Sequence, residues 1–131
     1  MISIIRRLDK KFQMLSADQP CIYGHPSANC RHHLVRRIYK TTRWDWRNGI
    51  NVCIKCHNEI HAGKKQEPVS RELWDLLNDL KNQDWHKYLL DRGMTEMEFY
   101  QEKERELDEQ LKNQVRYICR SANDFAVALP F

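Results

Sequence analysis

Cys53 and Cys56 stand two residues apart, with His57 and His61 directly after them. This cluster constrains the fold more than any other stretch. A Cys-x2-Cys pair lets one tight turn aim both sulfurs at a single ion, about 2.3 Å from each. A tetrahedral structural site needs two further ligands, and the chain upstream offers Cys21, His25 and Cys30. Cys21 is the first choice. Cys30 is the preferred fourth ligand, because thiolates suit a structural zinc site inside a cell; His25, able to close a turn with Cys21, is the alternative. The plain rival is a set of buried reduced thiols without metal.

The histidines form a second set. His57 and His61, four apart on a predicted helix, share a face and can grip one cation. His32 and His33 are adjacent, so on a strand they point to opposite sides. One can then ligate metal while the other stays free. A single finger of Cys53, Cys56, His57 and His61 fits poorly, since Cys56 and His57 are neighbours and the usual loop between the two pairs is missing. Two ions explain these residues better than one.

The 131-residue chain suits one domain with a modest core, which a metal staple would strengthen. No apolar run approaches the ~18 residues of a membrane span, and "MISIIRRLDKKF" lacks the pattern of a secretory signal. The expectation is a cytoplasmic protein with no membrane partner, whose five cysteines are thiols or ligands rather than disulfides. Charge is divided: residues 1–66 hold 13 Lys and Arg against 4 Asp and Glu, whereas residues 67–131 hold 9 against 14. The basic half, which contains the ligand cluster, suits a polyanion such as DNA.

Apolar spacing predicts a helix over 3–16, with Ile4, Ile5, Leu8, Phe12 and Leu15 on one face. Turn signals dominate 21–49. "CRHHLV" reads as a strand, "NVC" as a short extended piece, and "KCHNEIHAG" as a short helix closed near Gly63. After the linker "KKQEP", a helix over 69–92 bends or splits at "KNQD". Gly93 stops it, and Thr95 with Glu98 forms a capping box for a helix from Glu96 to about Arg120. Its stripe of Met97, Tyr100, Leu107, Leu111, Val115 and Ile118 packs on the body or, in a homodimer, on a second copy. Cys119 receives no chemistry, and the final "DFAVALPF", ending Leu-Pro-Phe, is read as a strand or tail on the domain. The fold class is α+β: a basic N-terminal helix (1–20), a small zinc-stapled core (21–66) and an acidic helical C-terminal region (67–131).

The core segment resembles a known family. "HH", then Asn48 nine residues before His57, then "C-x2-C-H-x3-H", looks like the HNH or ββα-metal nuclease motif. His33, Arg37, "TRWD" at 42–45, Asn48, Cys53 and Cys56 are also similar in order to phage recombination nucleases of the NinG/Rap type. The likeness covers about residues 21–62. It departs from that pattern at position 24, where Gly replaces the second cysteine of the usual first knuckle. It also departs at His32 and His57, which bring the chain nearer the general HNH pattern.

The resemblance implies a ββα-metal core and metal-dependent hydrolysis of DNA phosphodiesters, leaving 5′-phosphate and 3′-hydroxyl ends. His33 is the expected general base, since an imidazole titrates near working pH. His32, His57 and His61 are the expected ligands of a catalytic Mg²⁺ or Mn²⁺ ion, beside a structural Zn²⁺. Asn48 positions His33 or braces its loop. Arg36, Arg37, Lys40, Arg43 and Arg47 are expected along the DNA backbone, with Arg37 and Arg43 foremost; Trp44 and Trp46 pack beneath this loop, the alternative being stacking on bases at a distorted junction. The NinG/Rap likeness suggests branched DNA, including Holliday junctions, cut in the host cytoplasm if the chain is phage-encoded. The alternatives are a simple HNH nicking or packaging enzyme, a non-catalytic zinc-stabilised DNA-binding module, and a protein-interaction adaptor built on the acidic tail.

Overall fold

The computed structural model describes residues 2–118 and 127–130. Helix α1 (Ile2–Met14) forms because Ile4, Leu8 and Phe12 recur every fourth residue and make one buried face. Two short strands, β1 (Cys30–His33) and β2 (Gly49–Val52), pair antiparallel, with Cys30 opposite Val52 and His33 opposite Gly49. The loop between them holds one helical turn, α2 (Lys40–Arg43), which the turn signals of this stretch conceal. β2 runs straight into α3 (Ile54–His61) through Cys53, whose Sγ accepts the N–H of Cys56 and caps the helix.

The helix expected over 69–92 is two helices, α4 (Arg71–Lys81) and α5 (Trp85–Asp91). Each has its own cap, Ser70 accepting from Leu73 and Asp84 from Lys87. Gly93, at φ +62°, makes the next turn. Both bonds of the Thr95–Glu98 capping box are present at the start of α6 (Glu96–Asn113). This helix stops short of the expected end. Gln114 is extended, and the β-branched and aromatic run "VRYI" forms β3 (Val115–Ile118), antiparallel to β4 (Val127–Pro130). Val115 and Ile118 therefore leave the helical stripe. Cys119, Arg120 and Phe131 lie outside the described residues.

The fold is thus α+β, with two apolar clusters. In the first, the α1 face packs with Trp44, with Tyr88 and Leu89 of α5, and with Phe99, Tyr100 and Leu107 of α6. The α6 stripe is buried on the body, and Phe99 joins it. Charge follows the same contact: Arg7 and Lys11 of α1 bind Glu104, and Lys11 also binds Asp108. The Arg7 hydrogen bond, with help from Lys11, brings Glu104 down to about 2. Part of the basic charge of the first half is therefore paired within the chain.

The second cluster holds Leu34, Val35, Ile50 and Val52 against Cys21, Cys56 and Leu77 of α4. Gly49 joins the two clusters. A Cβ there would lie 2.7 Å from Arg31 Nε and 2.8 Å from Phe12 Cζ, so only glycine lets β2 approach α1 this closely. Gly49 is thus a site of close packing. Among the described residues, no helix is long and apolar enough to cross a membrane.

Candidate metal centres and the cleft beside them

Cys21, His25, Cys53 and Cys56 each place a ligand atom within 4.8 Å of the others. His25 Nδ1 lies 3.3 Å from Cys53 Sγ and 3.2 Å from Cys56 Sγ. The upstream pair meets the downstream pair through a tight turn, in which Gly24 N–H donates to Cys21 O at 2.9 Å and Cys21 N–H to His25 O at 3.0 Å. Gly24 takes φ +91°, which favours glycine. Gly24 is therefore the residue whose turn brings His25 to the other ligands.

Cys30, the preferred fourth ligand from sequence, is not in this set. It heads β1, and its Sγ lies 3.6 Å from His57 Nδ1, so the register of the strand carries it away from the other thiols. Three sulfurs and one imidazole, none of them exposed, form a donor set suited to tetrahedral zinc. The local electrostatics favour the thiolate at Cys21 but not at Cys56, where burial pushes the thiol up despite the nearby Lys65. Burial works against ionisation of Cys21, but the N–H groups of Cys53 and Tyr23 outweigh it and bring the thiol down to about 6. Lys65 Nζ donates to Cys56 Sγ at 3.0 Å.

The second cluster is the histidine trio. His32, His57 and His61 place one ring nitrogen each within 4.8 Å of one another. His57 and His61, one turn apart on α3, bring their Nε2 atoms to 3.0 Å. The His32 ring centroid, reaching in from β1, lies 5.2 Å from each of theirs. This set can hold a divalent cation. All three donors are nitrogen, which suits transition-metal ions better than oxygen-seeking Mg²⁺.

The alternation of β1 puts His33 on the other side from His32, yet both rings line one cleft of about 360 Å³. The His33 ring stacks on Phe12, with centroids 4.1 Å apart, and its Nε2–H donates to the carbonyl of Arg43 at 3.0 Å. In that tautomer Nδ1 is left as an acceptor. Burial pushes His33 down to about 4, so the ring is neutral at pH 7 but titrates well below the working pH expected of it from the sequence.

No protein-family model, curated protein or solved structure matches the chain.

Asn48 is fully buried and braces the loop that carries the Arg43 carbonyl. Its Oδ1 accepts from Val35 N–H at 2.7 Å, and its Nδ2 donates to the carbonyls of Val35 and Thr42 at 3.1 and 3.0 Å. Asn48→Ala strands those groups in the interior. The expected loss is roughly 2–5 kcal/mol, read by chemical denaturation of the zinc-loaded protein.

The five cationic residues divide. Arg43 grips Asp9 at 2.8 and 3.2 Å, Arg47 grips Asp45 at 2.7 and 3.0 Å, and Lys40 reaches Glu96 at 3.5 Å. These three are tied into the fold. Arg36 and Arg37 line the cleft, Arg37 with a 3.3 Å contact to Asp9. Trp44 is buried and donates to Asp9 at 2.8 Å, while Trp46 stays part-exposed at 38%. Asp9 is thus a hub that sequence reasoning missed, although a lone acid within "RRLDKK" was a visible signal. Gln13 and Glu67, which touch β1 and His32, carried no such signal.

Proposed function

We propose that the chain is a metal-dependent DNA endonuclease of the HNH type. One observation carries this: imidazoles from β1 and α3 converge on one point, while His33 opens onto the same cleft with an unused ring nitrogen. A non-catalytic module has no need of that fourth imidazole. The strand–loop–strand–helix order that presents these rings supports a ββα-metal core.

His32, His57 and His61 would hold a divalent cation, which when bound neutralises phosphate charge and stabilises the departing alkoxide. Arg36 and Arg37 hold the phosphodiester at the rim of the cleft. His33 takes the proton from the attacking water at Nδ1, while the Arg43 carbonyl fixes its tautomer. Asn48 keeps that carbonyl in place. Cys21, His25, Cys53 and Cys56 would hold zinc as a staple under α3.

Branched DNA and a role in phage recombination rest on the NinG/Rap likeness, of which "TRWD" is one part. Inside this protein those residues fold the loop: Arg43 binds Asp9, Trp44 joins the core, and Asp45 binds Arg47. Junction and duplex substrates therefore enter the test as equals. Zinc-loaded protein is assayed on supercoiled plasmid and on a synthetic four-way junction with Mg²⁺, Mn²⁺, Ni²⁺ or Zn²⁺. The expected outcome is cutting that needs the added ion and leaves nicks that DNA ligase reseals. Salt-sensitive DNA binding with no cutting under any of the four ions would mean a binding module instead.

A further inference from the structure

Glu67 lies in the irregular stretch between α3 and α4, outside the ligand sets and the HNH-like segment. Its Oε2 sits 2.8 Å from Nε2 of His32. We propose that Glu67 is a positioning residue of the three-histidine centre, acting on the bound cation through His32; this rests on the trio being a metal site.

The contact is held from both sides. Tyr23 OH donates to the carbonyl of Gln66 at 2.6 Å. Lys65 lies 4.5 Å over the Tyr23 ring and donates to Cys56 Sγ. After Glu67, Val69 N–H donates back to its carbonyl at 2.9 Å. The strap is therefore fastened to the cysteine cluster at one end and delivers a carboxylate to the histidine cluster at the other.

The chemistry gives that carboxylate a task. A carboxylate on a metal-ligating imidazole fixes the ring's orientation and raises its basicity. It also places a negative charge beside a site whose own three ligands are neutral, so the double charge of a cation is partly balanced. His32 is the trio member that needs holding most. His57 and His61 share one helix, whereas His32 arrives from a separate strand, placed through the pairing of β1 with β2, which leads into α3.

The test is calorimetric titration of zinc-loaded, full-length protein with Ni²⁺, on wild type, Glu67→Gln, Glu67→Asp and His61→Ala. Metal analysis and thermal melting check that zinc content and folding match wild type. Glu67→Gln is expected to bind Ni²⁺ 10–100-fold more weakly, with Glu67→Asp recovering part of the loss. A merely structural ion pair would move the melting temperature and leave Ni²⁺ affinity alone. Affinity in Glu67→Gln within twofold of wild type, or tighter, overturns the proposal and leaves the trio intact as a site. Wild type binding no better than His61→Ala overturns the metal site itself, and Glu67 with it.

Discussion

On the proposed nuclease function, His33→Ala should lower the rate of plasmid cutting by about 10²–10⁴-fold at saturating metal, the range that a positioned base supplies. DNA affinity and zinc content stay at wild type. The ring is already neutral at neutral pH, so its removal takes no charge from the cleft. Its neighbours also keep their arrangement, since Asn48 holds the loop independently of His33. Truncation leaves a gap against Phe12, so His33→Gln is the companion variant, filling more of that space without an imidazole. Both should cut slowly, bind DNA normally and melt within a few degrees of wild type. Cutting by His33→Ala within tenfold of wild type would remove His33 from the chemistry. The nuclease proposal would then depend on another base among the groups lining the cleft.

What could be read from the sequence depended on how far apart the interacting groups lie along the chain. The Cys53–Cys56 turn and the His57–His61 helical face are local, and both appear as expected because four or five residues fix their own geometry. Asn48 was also legible, through its distance from His57, although only the structure shows that it acts on backbone groups of Val35 and Thr42. The fourth ligand of the cysteine cluster was not legible. Choosing between His25 and Cys30 depends on the turn at Gly24 and on the register of β1, and composition favoured the wrong donor. The ion pairs that occupy some of the cationic residues were not read from the sequence either. Charge density suggested a DNA track, yet Arg43 is taken up by Asp9, thirty-four positions away. Arg47 is taken up by Asp45, only two positions away. The α6 boundary was lost to β-propensity at 115–118, which overrode a stripe that still matched the helical period.

Removing zinc should have the largest effect on folding. Cys21 and Cys56 are buried members of the second apolar cluster, and Cys53 is also the N-cap of α3. Without the ion, this region must hold three thiols and an imidazole packed together, with residues 21–25 joined to the rest through single contacts such as Tyr23 to Gln66 and Ile22 to Asn51 among the described residues. Zinc contributes about 10–16 kcal/mol in small zinc-dependent peptides, as much as the whole stability of an ordinary domain. A strong chelator should therefore unfold β1, β2 and α3 together, scattering His32, His57 and His61 and abolishing Ni²⁺ binding at the trio. The α1–α5–α6 cluster contains no ligand of this site, so circular dichroism should fall only in part and Trp44 should remain shielded from a fluorescence quencher. Point variants separate the ligands. His25→Ala should lose zinc to a competing dye far more readily than wild type, whereas Cys30→Ser should hold it as tightly. The reverse pattern would show that the strand register at Cys30 is wrong, and with it the placement of His32 and His33 on opposite sides of β1.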